Sequence, residues 1–424
     1  MSLRSLLISR IAEKLTGEAR QTNLRAAAER KRRADGSPHV VRYFHQADDP
    51  YSCLVAQALW QLTKRYDVQL DCYLVSPPEN WAAPERESLE SWARRDAGLL
   101  AGKAGLSFAN VTHQPSRERL ALAEAALATA LIDGRFIDEA GAISQALWSD
   151  ASLAPGGADA TAAKATGDAL RARLGHYLGG MLHYGGEWYW GLDRLHYLEE
   201  RLADLGVRRP GAPAAFIYPQ PDAPRQDAVP GAKGELHYYL SFRSPYTWIA
   251  ADRVKVLADA YGLDLKLRFV LPMVMRGLPV PKAKRSYIMG DSAREARRER
   301  VAFGRICDPV GRPVERGYSL LPWAIEQGKG FAYCHAFMEA VWSRGVDAGT
   351  DAGMRRIVEI AGLDWREARR KIGDTTWIGE AEANRRELMS FGLWGVPSFR
   401  FNTTTAWGQD RLWVIEDAIR ASRS

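Results

Sequence analysis

The chain has 424 residues, 46% hydrophobic, 26% charged and 10% aromatic. It is longer than one usual domain, can bury a large core and does not have a disordered composition. Its 58 basic and 51 acidic residues leave a formal charge of +7, a mild excess that suits an anionic partner without naming one. The four cysteines, Cys53, Cys72, Cys307 and Cys334, form no CxxC pair. That spacing argues against a zinc knuckle, an iron–sulfur site or a disulfide scaffold, and fits reduced thiols in a cytoplasmic protein.

Residues 1–35 read as a basic, amphipathic helical arm. Arg4, Arg10 and Glu13 interrupt its apolar run, so it makes a poor signal peptide. The arm is expected to pack on the body, on a partner subunit or on a membrane surface. No run of 18 apolar residues occurs, so no membrane span is expected. HVVRYFH (39–45) then reads as a strand, SCLVAQALWQLTKRY (52–66) as a helix entered through Asp49-Pro50, and VQLDCYLV (68–75) as a second strand. A mainly helical stretch follows, with a clear helix over 116–134 and a break at APGGADA (154–160). A short hairpin and a helix after WGLDRL (190–195) close the first half. Residues 208–234 are rich in Pro, Gly and Ala and read as a linker that lies along the body.

The second half repeats the order. LHYYLSF (236–242) and LDLKLRFVL (263–271) alternate as strands around the helix TWIAADRVKVLADAY (247–261), which implies a parallel crossover. Further helices are predicted over 292–304, 328–345, 354–363 and 379–392. Tyr43, Pro50 and Leu70 each lie 195 residues before Tyr238, Pro245 and Leu265, while WGLDRL and WGQDRL (407–412) are 217 apart. A constant offset across several elements points to a tandem duplication with about 22 extra residues in the second copy. The predicted architecture is therefore α/β, with a first domain over 36–207, a second over 235–424 and a helical insert in each. The two domains are expected to pair within the chain; a homodimer stays open.

Ser244-Pro245 stands where a strand hands over to a helix. Serine is a favoured N-cap and proline a favoured first helical residue. The same helix end gathers free N–H groups and the positive end of the dipole, which favour an anion such as a thiolate. Gly395-Val396-Pro397 precedes another strand; a cis proline there would leave the Val396 carbonyl and amide free to pair with an extended, peptide-like ligand. Asp410, in Trp407-Gly408-Gln409-Asp410-Arg411, is a cap or a receptor for an ammonium group. Lys282, Lys284 and Arg285 are candidates to meet carboxylates. His176 and His183 lack a supporting acid pattern, so no metal site is expected. Acidic residues interrupt the basic clusters at 25–33 and 282–305, and no nucleic-acid-binding motif occurs.

FRSPYTWIA, the insert segment KRSYIMGDSAREAR (284–297), GVPSF and WGQDRL together resemble the 2-hydroxychromene-2-carboxylate isomerase group. That group sits with kappa-class glutathione transferases in the DsbA-like thioredoxin superfamily. The resemblance covers about 236–420 well and 38–205 faintly. It implies two tandem thioredoxin-like domains and glutathione as cofactor. Ser244 would orient and activate the glutathione thiol. Val396 and Pro397 would hold the cysteinyl part, and Gln409 and Asp410 the γ-glutamyl part. Thr247 stands where a redox relative has its second cysteine, and Tyr246, Thr247, Lys282, Lys284 and Arg285 would face the substrate, a small aromatic or electrophilic acid. In the first half Asp49 replaces Ser244 and the proline is missing, with Met181 near its position, so that copy looks degenerate. Two other functions stay open: a non-catalytic thioredoxin-fold binding or scaffold protein, and a DsbA-family protein without its own CxxC.

Overall fold

The computed structural model describes residues 3–154 and 156–423; Met1 and Ser2 of the arm and Pro155 of the APGGADA break lie outside the described residues. The chain groups into two compact units. One comprises 22–220 with 281–287, the other 1–21, 221–280 and 288–424. The arm is two helices, α1 (Leu3–Thr16) and α2 (Glu18–Ala34), broken at Gly17. Its basic residues are partly spent on internal pairs: Arg25 forms a bidentate pair with Glu187, and Arg32 and Arg33 both bind Glu29.

The unit containing the first half begins with β1 (Val40–His45), α3 (Pro50–Arg65) and β2 (Gln69–Leu74). Four helices follow: α4 (Arg86–Ala104), α5 (Arg117–Ile132), α6 (Phe136–Trp148) and α7 (Ala160–Arg173). The hairpin β3 (Met181–Tyr184) and β4 (Glu187–Trp190) leads into α8 (Leu195–Asp204). The sheet order is β2-β1-β3-β4, with β1 and β2 parallel and the other pairs antiparallel.

The other unit has β5 (Glu235–Leu240), α9 (Pro245–Tyr261) and β6 (Asp264–Phe269). Its insert holds α10 (Lys282–Arg298), α11 (Arg312–Glu326), α12 (Gly330–Trp342), α13 (Asp351–Ile360), α14 (Trp365–Lys371) and α15 (Trp377–Ser390). The strands β7 (Ser398–Phe401) and β8 (Thr404–Trp407) and the helix α16 (Leu412–Ala421) complete it. The order β6-β5-β7-β8 repeats that of the first sheet, again with one parallel pair.

Alternation in 236–242 predicts one buried face. The structure buries both: His237 and Tyr239 are buried along with Leu236 and Tyr238. A central strand between helical layers loses solvent on each side, so its polar residues need partners. His237 finds them in Arg268 and Arg400. The predicted charged helix over 292–304 also shifts. It starts ten residues earlier, after Pro281, and stops at Arg298; Arg300 then takes a φ of 56° and the Val301 amide caps back onto Ala296. Charge density marked neither the ends of that helix nor an exposed face: Arg294 and Glu295 are buried, and Arg297 and Arg298 are half-buried.

The linker is held rather than loose. The amide of Ile217 donates to Glu199 at 2.9 Å, and that of Arg225 donates to Glu416 at 2.9 Å. Both glutamates are completely buried on the last helix of their unit. Each also accepts a tyrosine hydroxyl from the end of the crossover helix: Tyr66 at 3.4 Å and Tyr261 at 2.8 Å.

Candidate functional site

The site around Ser244 is built by a strand end, a helix start and a loop. β5 runs into Ser241-Phe242-Arg243, and the Ser244 amide turns back onto the Ser241 carbonyl at 3.0 Å. Ser244 is extended, as an N-cap requires, and its Oγ accepts from the Thr247 amide at 3.2 Å. Pro245 fills the first helical position, where no N–H is needed. The same hydroxyl donates to the Val396 carbonyl at 3.3 Å. Ser244 and Val396-Pro397, 152 positions apart in the chain, therefore meet. The Val396–Pro397 bond is cis.

The loop before β7 is fixed from both sides. The Ser398 hydroxyl binds the Gly395 carbonyl at 2.7 Å, and the Gly408 amide binds the Pro397 carbonyl at 2.9 Å. Gly395 lies against the Trp407 indole, where an added Cβ would come within 2.6 Å. Trp394 packs on Trp407 with ring centroids 5.7 Å apart. The Val396 N–H takes part in no backbone hydrogen bond among the described residues.

Thr247 is fully buried. Its carbonyl accepts from the Tyr238 hydroxyl at 2.7 Å, while its own hydroxyl has no hydrogen-bond partner. Tyr246 donates to Asp291 on α10 at 2.9 Å, and Arg294 holds the other oxygen of Asp291 at 2.7 Å. Arg243 makes a bidentate pair with Asp308, 2.8 Å at both contacts. Asp410 lies half-buried beside Arg411 at 3.4 Å. Gln409 is only 2% exposed; its carbonyl accepts from Arg253 and its amide donates to Glu295, so it braces the loop from beneath. Lys282, Lys284 and Arg285 fall in the other compact unit. Lys282 and Arg285 are exposed, and Lys284 donates to the Ala82 carbonyl at 3.2 Å. Burial lowers the pKa of the Lys284 amine.

Burial raises all four cysteine thiols above their ordinary range. It pushes Cys53 up to about 12 and Cys307 up to about 11. All four are free, and none stands on the first turn of α9. His176 stacks on Tyr177 at 5.1 Å and His183 packs on Trp188 at 4.7 Å.

The equivalent place in the first half is chemically different. Asp49 caps α3 through the amides of Tyr51 and Ser52 at 3.3 and 2.9 Å, and accepts the Ser52 hydroxyl at 2.7 Å. Burial still outweighs these bonds and pushes the Asp49 carboxyl up from 3.8 to about 6. The loop opposite is Gly179-Gly180. The Gly191 amide binds the Gly180 carbonyl at 2.9 Å, as Gly408 binds Pro397. Gly180, not Met181, is therefore the counterpart of Pro397. Met181 opens β3 as Ser398 opens β7, one position after that counterpart.

Two features were not read from the sequence. Tyr51 donates to the buried Asp96 at 2.9 Å, just as Tyr246 does to Asp291. Glu199 and Glu416 form the second buried pair of equivalents. The offsets of 195 and 217, extended past the obvious strands, lead to both.

A βαβ crossover, a helical insert and a returning hairpin, with a capped helix facing a proline loop, define a thioredoxin-like α/β unit. Residues 235–420 match the DsbA-like thioredoxin domain family. The chain is similar to 2-hydroxychromene-2-carboxylate isomerase of Pseudomonas putida, 20% identical over 192 residues, covering 43% of this chain and 93% of that protein. The isomerase of the same name from Pseudomonas sp. (strain C18) is 20% identical over 193 residues, covering 43% and 89%. Among solved structures, a 2-hydroxychromene-2-carboxylate isomerase aligns at 21% identity with a TM-score of 0.39, covering 45% of this chain and 96% of that one. The cytosolic disulfide reductase DsbM from Pseudomonas aeruginosa with GSH aligns at 18% identity with a TM-score of 0.34, covering 44% and 99%.

Proposed function

We propose that the unit built on residues 235–424 is a glutathione-dependent isomerase or transferase acting on a small aromatic or electrophilic carboxylate. The observation that carries this reading is the Ser244 hydroxyl, placed at a helix N-terminus and within hydrogen-bond reach of the loop at Val396-Pro397. The residues fit a thiol peptide. A hydroxyl donor stands at the positive end of α9, and the neighbouring Val396 N–H has no backbone partner among the described residues. Bound glutathione would supply the thiolate that adds to and leaves a conjugated double bond.

The protein's own groups do the rest. Ser244 rotates its proton from the Val396 carbonyl toward the sulfur, and the start of α9 stabilises the negative charge. Val396 presents N–H and C=O to the cysteinyl backbone, and Asp410 receives the γ-glutamyl ammonium. Gln409 holds the Asp410 loop in place through Arg253 and Glu295. With serine and threonine on α9 and no low-pKa thiol, the chain has no thiol–disulfide exchange of its own.

The first half is a copy in which this chemistry is lost. Asp49 consumes the Ser52 hydroxyl and offers a thiolate only a carboxyl group, which is ionised above pH 6 and repels it. A scaffold role for that copy follows from the same observation. The trial assay follows 2-hydroxychromene-2-carboxylate by absorbance with and without reduced glutathione. Glutathione-dependent conversion that is lost in Ser244→Ala supports the reading; conversion equal in both proteins, or none with any conjugated aromatic carboxylate tried, removes it.

A further inference from the structure

The helix α1 is attached to its unit by its polar side. Ser9 is buried against Gly345, where an added Cβ would come within 2.2 Å of the serine oxygen. Thr16 lies against Gly304 in the same way at 2.8 Å, and Arg297 donates to the Thr16 carbonyl at 3.1 Å. Glu13 pairs with Arg305 at 3.4 Å. The opposite side carries Leu7, Ile8, Ile11 and Leu15, which are 63, 52, 48 and 53% exposed.

At about 100° per residue these four fall within one arc of about 100°. Arg10 and Lys14, both exposed, border that arc on one side. Among the described residues no other helix leaves more than two large apolar side chains this open. Single exposed leucines are ordinary; a contiguous stripe on a helix whose polar face is already used is not.

We propose that α1 docks the protein onto an anionic lipid surface. Its Leu7-Ile8-Ile11-Leu15 stripe enters the headgroup boundary while Arg10 and Lys14 pair with lipid phosphates. The charges select this occupant. Antiparallel packing of α1 on a second copy would bring Arg10 and Lys14 against their own counterparts, whereas an anionic bilayer neutralises them and accepts the aliphatic side chains. Such a helix lies in the plane of the surface and needs no spanning length, in keeping with the absence of any described helix apolar and long enough to cross a membrane.

The test is co-sedimentation of the full chain with phosphatidylcholine vesicles, with and without about one third phosphatidylglycerol. Binding is expected only to the anionic vesicles and weakens as salt is raised. Leu7→Ser, Ile11→Ser and Leu15→Ser combined should reduce it at least tenfold, and so should Arg10→Glu with Lys14→Glu. Melting of the serine variant should match the parent, because these side chains are already in water; a clear drop would mean they are covered in the folded chain and would overturn the proposal. It is overturned equally if the parent ignores anionic vesicles, or if light scattering shows a dimer that the serine variant dissociates.

Discussion

Tyr246 donates its hydroxyl to the buried carboxylate of Asp291 at 2.9 Å, and so ties the first turn of α9 to the first helix of the insert. The same tie joins Tyr51 to Asp96, 195 residues earlier. A buried acceptor that loses a donor keeps its desolvation cost. Tyr246→Phe and Tyr51→Phe should therefore each cost about 1–2 kcal/mol in urea unfolding. If the tie positions the active helix, only Tyr246→Phe should also weaken glutathione binding.

Ser244→Ala removes a helix cap as well as a hydroxyl. The Thr247 amide loses its acceptor, and the Val396 carbonyl loses its donor. The expected stability cost is about 1 kcal/mol. Ser244→Asp should restore most of that stability, since aspartate caps equally well, without restoring glutathione-dependent activity. Recovery of both would mean that the hydroxyl proton is not what the site uses.

Asp49 imposes a pH dependence of the less common sign. Its carboxyl is raised from 3.8 to about 6, so the folded chain holds this proton more tightly than the unfolded one. Its contribution to stability is fully present at low pH and is lost as pH rises from about 4 through about 6, by up to about 3 kcal/mol. Asp49→Asn keeps an acceptor for Ser52 and should flatten the urea midpoint across that window relative to the parent. A parallel pH profile in both proteins would remove Asp49 as its origin.

Glu199 behaves in the same direction over a higher range. Burial pushes it from 4.5 up to about 7, although Ile217 and Tyr66 donate to it and Arg65 lies 4.0 Å away. Stability from this group is lost as pH rises from about 4.5 through about 7. Glu199→Gln keeps an acceptor for the Ile217 amide and should be more stable than the parent at pH 8. Glu199→Ala frees the linker there, and should speed proteolysis near Ile217.

Much of the framework was legible because it rests on period and punctuation. Alternation gave the strands, Ser244-Pro245 and Asp49-Pro50 gave the helix starts, and the two offsets located matching elements. What escaped depends on burial. His237 and Tyr239 follow the polar side of an alternating strand, yet both are buried. Gln409 shares a motif with Asp410, but only packing reveals that Arg253 and Glu295 take up its amide. Lys284 stands in the insert by sequence, and its amine binds the Ala82 carbonyl. Pairings between side chains far apart in the chain leave no local signature; Asp96 and Asp291, 195 residues apart, take equivalent tyrosine partners only once the fold is seen.

The most direct test of the account is calorimetric titration of reduced glutathione into the parent chain, Ser244→Ala and Asp49→Asn. The account predicts saturable binding to the parent, a loss of about tenfold in affinity or more in Ser244→Ala, and parent-like affinity in Asp49→Asn. No heat from the parent at millimolar glutathione, or equal affinity in Ser244→Ala, would contradict it.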